Sequence, residues 1–240
     1  MPLPASISDA TAALRRRRDL SRRQRWRRVA LAVVALAVVA ALTWLVAFSP
    51  VLAAKRVEVE GTQLLTPAEV RAAARVPLGT PLTRVDTDAI AARVQALLPV
   101  GQVEVVRHWP NTITIKVTER TAVLQRQEGS GFQWIDGTGL AFHTSAQAKG
   151  GTLHVRAPNE RRLLADLATV SSSLTPQLRQ RVQYLKADSP DTITLVLDKG
   201  QQVVWGSADQ SATKAQVATA LLGVKATVFD VSAPDHPTSR

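Results

Sequence analysis

An unbroken apolar run from Val29 to Phe48 constrains the fold of this 240-residue chain more than any other feature of its sequence. Thr43 is the one hydroxyl-bearing residue in the run, and no charged residue interrupts it. An α-helix needs roughly 20 apolar residues to cross the hydrocarbon core of a bilayer, because its backbone hydrogen bonds are then all made inside the segment. The sequence therefore predicts a transmembrane helix over residues 29–52. Its expected membrane-contacting residues are Val29, Leu31, Leu36, Leu42, Trp44, Leu45 and Phe48.

Positive charge lies mainly on one side of this run. Residues 1–28 contain nine Arg and two Asp, whereas Lys55 and Arg56 are the nearest cations beyond the other end. Cationic flanks are retained on the cytoplasmic side of a membrane. We therefore expect a single-pass type II protein in the cytoplasmic membrane, with a cytoplasmic N-terminus and extracytoplasmic C-terminal domains. The competing interpretation is a secretory signal peptide cut near residues 51–54, although the basic and apolar segments are both longer than in most signals.

The net charge of +11 comes mostly from the same N-terminal segment. Nine Arg minus two Asp gives +7 before residue 29, and +11 minus +7 leaves +4 for the rest of the chain. A topology signal with affinity for anionic lipid explains this placement better than nucleic-acid binding does. We expect residues 1–28 to form an Arg-rich disordered tail. The chain has no Cys, which excludes disulfides, thiol catalysis and Cys-ligated metals.

Residues 55–121 have the pattern of a strand, two helices and two further strands. Arg56 to Glu60 alternates charged and apolar residues, as in a half-buried strand. Thr66-Pro67-Ala68-Glu69 is typical of a helix N-terminus with a capping box, and a second helix is expected from about Asp86 to Leu98. Period-two alternation on both sides of Trp109-Pro110-Asn111 then predicts a hairpin.

The pattern of residues 122–234 predicts a mixed, mostly antiparallel β domain with two helices. The helices are expected from about residue 159 to 173 and from about 209 to 223, where apolar residues recur at helical spacing. A last strand is expected from Val228 to Val231, and residues 235–240 are expected to form a C-terminal tail. The predicted fold class is α+β.

No pattern in the sequence favours an enzyme. The spacing Gly-x-Ser-x-Gly does not occur, and no two His lie at the spacing of helical metal ligands. Glu119 and Asp136 are a conceivable pair of acid/base carboxylates, but Glu119-Arg120 at a strand end is more typical of a salt-bridged corner. We therefore predict no catalytic, metal-binding or cofactor-binding residues. The four His are His108, His143, His154 and His236.

Three motifs stand out in the sequence: the Trp-Pro-Asn turn at residues 109–111, the Asp-Gly turn at residues 136–137, and Phe229-Asp230-Val231. Together they resemble the FtsQ/DivIB family of bacterial cell division proteins. Val106 to Ile113, which contains the Trp-Pro-Asn turn, resembles the hairpin of that family's POTRA domain, and residues 55–121 have the POTRA order of elements. Phe132 to Phe142, with its Asp-Gly turn, is similar to the hairpin that opens the family's β domain. Phe229-Asp230-Val231 follows the family pattern, but Ser232-Ala233 departs from the basic and aromatic residues often found there.

The resemblance implies a non-enzymatic scaffold and regulator at the division septum. It would bind FtsB and FtsL, and in addition FtsK, FtsW and FtsI, linking early and late division proteins to septal peptidoglycan synthesis. No nucleic acid and no small-molecule substrate is expected. A sheet edge can accept a partner strand, whose backbone supplies affinity. The expected partner-binding residues are Val228, Phe229, Asp230, Val231, Ser232, Lys214, Val103 and Val105.

Two other functions remain open from the sequence. A POTRA-type export or secretion component would bind substrate chains, but such proteins usually carry repeated POTRA units, and the sequence contains one. An anchored hydrolase is the third possibility, and turnover of peptidoglycan by the purified protein would support it.

Overall fold

A computed structural model describes residues 26–41, 43–44 and 50–240. Residues 26–41 and 43–44 are helical, and their side chains are exposed. Among the described residues, no helix has both the length and the apolar character that crossing a membrane requires. Leu42, Leu45 and Phe48 of the predicted anchor lie outside the described residues, as does the predicted tail before residue 26.

The chain divides into two compact units. The first unit comprises the described residues up to Glu58 together with Arg75–Ile90 and Val105–Ile115. The second unit comprises Val59–Ala74, Ala91–Glu104 and Lys116–Arg240.

The predicted order of strand, helix, helix, strand and strand is confirmed. The elements are β1 (Arg56–Glu60), α1 (Pro67–Ala74), α2 (Thr87–Gln95), β2 (Val100–His108) and β3 (Thr112–Glu119). The strands form a three-stranded sheet in the order β1-β3-β2, so β1 and β2 lie at its edges.

The two helices begin where their capping residues predict. The Glu69 carboxylate accepts a hydrogen bond from the Thr66 amide at 2.7 Å, and the Glu69 amide donates to the Thr66 hydroxyl at 3.2 Å, which completes the capping box of α1. The Asp86 carboxylate accepts from the amides of Asp88 and Ala89 at the start of α2. These bonds satisfy amides that have no partner inside the helix.

A nine-stranded sheet in the second unit contains the remaining strands. Its order is β12-β11-β10-β9-β8-β7-β4-β5-β6. Five neighbouring pairs are antiparallel and three are parallel, so the prediction of a mixed, mostly antiparallel sheet is confirmed. The strands are β4 (Leu124–Glu128), β5 (Gly131–Ile135), β6 (Ala141–Ser145), β7 (Leu153–Arg156), β8 (Val182–Lys186), β9 (Ile193–Leu197), β10 (Gln202–Gly206), β11 (Val228–Asp230) and β12 (Thr238–Ser239).

Three helices accompany this sheet, where the sequence predicted two. They are α3 (Arg161–Ser173), α4 (Pro176–Arg181) and α5 (Ser211–Leu221). The additional helix, α4, has six residues, with Pro176 in its first turn and the Thr175 hydroxyl accepting from the Leu178 amide at 3.3 Å. A segment of this length is too short to show a helical period, so its cap was the one available signal.

The core of the second unit is built from alternate residues of the strands and one face of the helices. On β9, Ile193, Leu195 and Leu197 are fully buried, as period-two alternation predicts. The apolar stripe of α3 joins the same core. Its buried apolar residues are Leu163, Leu164, Leu167, Ala168 and Val170.

The turn before β6 brings the backbone of Gly139 against α3. Gly139 has φ +76°, and a Cβ atom built there would lie 2.2 Å from the Arg161 carbonyl oxygen and 2.6 Å from the Ala165 amide nitrogen. Any side chain at this position would collide with the helix backbone, so glycine is required here for close packing as well as for conformation.

Candidate functional site: the end of the nine-stranded sheet

Five of the eight residues for which the sequence predicts partner binding lie on β11 or directly after it, and one side of this strand pairs with β10. The two strands are parallel, with Val203 opposite Phe229 and Val204 opposite Asp230. The Val231 amide extends this pairing by donating to the Val204 carbonyl at 3.0 Å. Successive side chains of a strand point to opposite faces. Phe229 and Val231 accordingly face the core and are 0% exposed.

The other side of β11 is paired with the chain's own residues 238–240. β12 runs antiparallel to β11, with Phe229 opposite Ser239 and Asp230 opposite Thr238. The Val228 amide donates to the Arg240 carbonyl at 2.9 Å, and the Arg240 amide donates to the Val228 carbonyl at 3.0 Å. The sequence predicts a C-terminal tail here. The structure instead shows a strand that covers the outer edge of β11.

A short turn joins the two strands. The Asp230 carboxylate accepts hydrogen bonds from the Ser232 amide at 3.0 Å and from the Ser232 hydroxyl at 2.7 Å. The His236 amide donates to the Ala233 carbonyl at 3.0 Å. Ser232 and Ala233 are exposed. The turn therefore presents small side chains to solvent at the place where the family often carries a basic and an aromatic residue.

Ser232 also lies close to the end of β10. Gly206 has φ +72°, and a Cβ atom built there would lie 3.0 Å from the Ser232 Cβ atom. The turn after β11 thus has little room to shift toward β10.

Lys214, the remaining predicted partner-binding residue in this domain, has a buried side chain on α5. It is 2% exposed, and its ammonium group donates to the Ser207 carbonyl at 2.9 Å. Burial lowers the pKa of Lys214, and the nearby charge of Asp209 offsets part of that effect. In this conformation Lys214 ties α5 to the loop that precedes it, and its ammonium group is not presented to solvent.

The same loop is held by a second buried contact. The Trp205 indole nitrogen donates to the Ser211 hydroxyl at 3.1 Å, and that hydroxyl donates to the Ala208 carbonyl at 2.7 Å. These bonds join the end of β10 to the start of α5. Trp205 and Lys214 therefore support the sheet end from inside the domain.

Val103 and Val105, which the sequence also predicts to bind a partner, lie on the edge strand β2. Both are half-buried, whereas the neighbouring Gln102 and Glu104 are exposed. A hollow of about 420 Å³ is lined by Gln102, Val103, Glu104, Lys116 and Thr118. Its lining is polar except for Val103.

The sequence did not single out residues 238–240, although they contact the predicted surface directly. Thr238 is β-branched, which suits a strand, but β12 has only two residues and follows a Pro. Two residues cannot display a period. Their pairing depends on a turn that returns the chain to β11, and no local pattern predicts that turn.

Glu119 and Asp136, the two carboxylates that could form an acid/base pair, each bind different groups. Glu119 accepts hydrogen bonds from the amides of Gln63, Leu64 and Leu65 at 2.8–3.0 Å. Burial alone raises the pKa of Glu119, but these amides outweigh it, and the net pKa lies below the usual range. No group of three or more His, Cys, Asp or Glu suited to a metal ion occurs among the described residues.

Asp136 forms a different cluster. Its carboxylate contacts an Arg120 guanidinium nitrogen at 2.6 Å and accepts from the Thr138 hydroxyl at 2.7 Å and the Leu140 amide at 3.1 Å. Burial alone raises the pKa of Asp136, and these hydrogen bonds bring it below the usual range. The predicted salt bridge at this corner is therefore made by Arg120 with Asp136, while Glu119 caps the amides of a loop.

Comparison with known proteins matches nearly all of the chain from residue 52 to residue 232. Residues 52–120 match the POTRA domain, FtsQ-type, and residues 122–232 match the C-terminal domain of cell division protein FtsQ/DivIB. Cell division protein FtsQ of Streptomyces venezuelae is 43% identical over 198 residues, which cover 77% of this chain and 73% of that protein.

Two further relatives bear the same name. Cell division protein FtsQ of Streptomyces coelicolor is 38% identical over 235 residues, covering 90% of this chain and 88% of that protein. The protein of that name from Mycolicibacterium smegmatis is 38% identical over 202 residues, covering 82% of this chain and 60% of that protein. With both domain types matched in order and relatives aligned over most of their length, this chain belongs to the FtsQ/DivIB family of cell division proteins.

Proposed function

We propose that this protein acts in cell division as a non-enzymatic, membrane-anchored scaffold that binds FtsB and FtsL. In this proposal it links early and late division proteins to septal peptidoglycan synthesis, and FtsK, FtsW and FtsI are further partners. The proposed organisation is a cytoplasmic tail (1–28), a transmembrane helix (29–52), a POTRA domain (55–121), a β domain (122–234) and a C-terminal segment (235–240).

The observation that carries the proposal is the strand pairing at the outer edge of β11. The backbone groups of Val228 that face this edge already hold an added strand, residues 238–240, with normal hydrogen-bond lengths. An edge that accepts one antiparallel strand can accept another of the same backbone geometry. A partner strand at β11 would therefore replace residues 238–240.

The occupying strand is weakly held, which favours such an exchange. β12 has two residues, and residues 235–240 are all exposed. Each of its backbone hydrogen bonds contributes about 1 kcal/mol net. A partner with a longer strand and additional side-chain contacts would form more bonds than it displaces.

Side chains around the edge would supply specificity. Val228 and Asp230 are half-buried on the face opposite the core, and Ser232 is exposed beside them. Phe229 and Val231 would act by fixing the position of the strand from the core side. Val103 and Val105 on the edge strand β2 offer a second surface for recruitment.

Substitution of Val228 tests the proposed surface. Val228→Pro removes the amide hydrogen that faces the outer edge, whereas Val228→Thr keeps that amide and the β-branched shape. Each full-length variant would be tagged and purified from membranes together with FtsB and FtsL. We expect Val228→Thr to retain both partners and Val228→Pro to lose them.

Folding is monitored on the same preparations by Trp fluorescence, to which the buried Trp205 contributes, and by thermal unfolding. A folded Val228→Pro variant that still co-purifies with both partners would refute the β11 edge as the binding surface. If neither partner accompanies even the wild-type protein, the proposed partners themselves are wrong.

A further inference from the structure

Exposed apolar side chains are concentrated in one part of the first unit. From residue 50 onward, the large apolar side chains exposed among the described residues are Val51, Leu78, Leu98, Trp109 and Val224. Val51, Leu78 and Trp109, which are 63%, 61% and 54% exposed, belong to the first unit. Because none of these three side chains is buried, their apolar surface is in contact with water. Exposed apolar surface of this kind favours a partner that covers it.

Backbone hydrogen bonds join the three segments that carry these side chains. The Gly79 amide donates to the Ala54 carbonyl at 2.9 Å, and the Ala54 amide donates to the Thr80 carbonyl at 2.9 Å. The Lys55 amide donates to the Asn111 carbonyl at 2.8 Å. Val51, Leu78 and Trp109 each lie within three residues of one of these bonds. We call residues 50–56, 77–81 and 107–111 the entry segments.

The entry segments lie where the chain arrives from the apolar run. Trp44 is the last described residue before them, and the first strand starts at Arg56. The start of β1 is bonded to Asn111, directly before β3, while Gly61 after β1 approaches the Val117 carbonyl near the end of β3. β1 and β3 therefore run in the same direction away from the entry segments.

Cationic side chains accompany the apolar ones. Lys55, Arg56 and Arg107 belong to the entry segments and are exposed, with one guanidinium nitrogen of Arg107 donating to the Val85 carbonyl at 2.8 Å. The exposed acidic residues of the first unit, Glu58, Asp86 and Asp88, lie outside these segments in the sequence. Trp together with Lys and Arg is the composition that proteins place at the boundary between lipid and water.

We infer that Val51, Leu78 and Trp109 form a lipid-contacting patch that seats the entry segments on the outer surface of the membrane. Trp109 inserts its indole at the headgroup level, and Lys55, Arg56 and Arg107 contact anionic headgroups. This assignment depends on the proposed membrane anchor, because the anchor keeps these segments at the bilayer. It restricts the orientation of the first unit relative to the membrane.

The absence of Cys makes the patch directly testable, because each introduced Cys is unique. Full-length variants Leu78→Cys, Trp109→Cys and Leu36→Cys would carry a nitroxide spin label in vesicles of phosphatidylglycerol and phosphatidylcholine. Val224→Cys, an exposed apolar position in the second unit, is the matched control. The measurement is the ratio of collisions with oxygen, which concentrates in lipid, to collisions with a water-soluble nickel chelate.

We expect labels at positions 78 and 109 to have ratios several-fold above that of position 224, as position 36 of the anchor does. A lipid-like ratio at position 36 with a water-like ratio at positions 78 and 109 would refute the lipid-contacting patch. The same result would still support the membrane anchor. A water-like ratio at position 36 refutes the anchor itself. If the labels at positions 78 and 109 are shielded from the nickel chelate only after FtsB and FtsL are added, the lipid assignment is overturned. The patch would then be a protein-binding surface.

Vesicles of phosphatidylcholine alone separate the apolar from the ionic contribution. We expect the ratio at position 109 to fall there, because the cations lose their anionic headgroups. An unchanged ratio would overturn the contribution of Lys55, Arg56 and Arg107.

Discussion

Val228 and Arg240 exchange two backbone hydrogen bonds, with donor–acceptor distances of 2.9 and 3.0 Å, and so close the ring typical of an antiparallel strand pair. This pairing uses the amide and carbonyl of Val228 that face away from β10. Any strand that a partner adds to β11 must use the same two groups. Residues 238–240 and a partner strand are therefore mutually exclusive at this edge.

A chain ending at Pro237 is expected to bind its strand-adding partner more tightly than the 240-residue chain. The truncated chain does not have to break the hydrogen bonds of Arg240. If displacing residues 238–240 costs about 1 kcal/mol net, the truncated chain should bind the proposed partner FtsB roughly 5-fold more tightly. Titration of each chain with FtsB measures the difference. The double variant Thr238→Ala with Ser239→Ala keeps the backbone pairing and should bind like the wild type.

Hydrogen exchange offers a test of the same pairing without any partner. The Val228 amide should exchange faster in the truncated chain, while the Val231 amide, which donates to Val204, should keep its protection. Equal protection of Val228 in both chains would contradict the pairing, and equal affinity for FtsB would contradict the competition.

Gly139→Ala is expected to destabilise the second unit strongly. A Cβ atom at this position meets the backbone of α3 at 2.2 Å, and the residue has a positive φ, so neither a side-chain rotation nor a small shift relieves the clash. The expected loss is about 2–4 kcal/mol in the free energy of unfolding. Gly137→Ala, in the same turn with no atom within 4 Å, should change it by less than about 0.5 kcal/mol. Urea denaturation measures both, and similar midpoints for the two variants would contradict the close packing.

Glu119→Gln is expected to lower the free energy of unfolding at neutral pH and to reduce the loss of stability in acid. The Glu119 carboxylate has a lowered pKa in the folded state, so its contribution to stability is present above its unfolded pKa of about 4.3 and is lost as the pH falls through the folded value. Hydrogen bonds to a charged acceptor at this half-buried site indicate a loss of about 1–2 kcal/mol at pH 7.

Unfolding curves between about pH 7 and pH 3 would show the stabilities of wild type and Glu119→Gln converging in acid. Glu104→Gln is the matched control, because Glu104 is exposed on β2. A constant difference between wild type and Glu119→Gln across this range would argue against the charged carboxylate as the origin of the effect.

Lys214→Met is expected to flatten the dependence of stability on alkaline pH. Burial lowers the pKa of Lys214 in the folded state, so the unfolded chain binds more protons and wild-type stability rises with pH up to the unfolded pKa of about 10.4. Met has a similar length and no proton to lose. Unfolding free energies at neutral and alkaline pH measure this slope, with Lys225→Met as the control at an exposed Lys. A slope unchanged by Lys214→Met would contradict the effect of burial.

Caps and periodicity were enough to predict most individual elements. Thr66, Pro67 and Glu69 predict the start of α1 through contacts within four residues, and alternation predicts the buried face of β9. The burial and the hydrogen-bond partners of polar side chains were harder to predict. Glu119 binds amides 54 to 56 residues away in the sequence, and Lys214 is buried on a helix whose pattern does not distinguish it from an exposed Lys.

The sequence by itself determined the apolar run from Val29 to Phe48, the order of strand, helix, helix, strand and strand over residues 56–119, and the family, because these depend on local composition and on motifs in a fixed order. Tertiary structure alone decided which strand lies beside Val228, because pairing between β11 and β12 depends on a turn that brings two short segments together. It also decided that Val51, Leu78 and Trp109 come from joined segments, since backbone hydrogen bonds connect residues more than 20 positions apart.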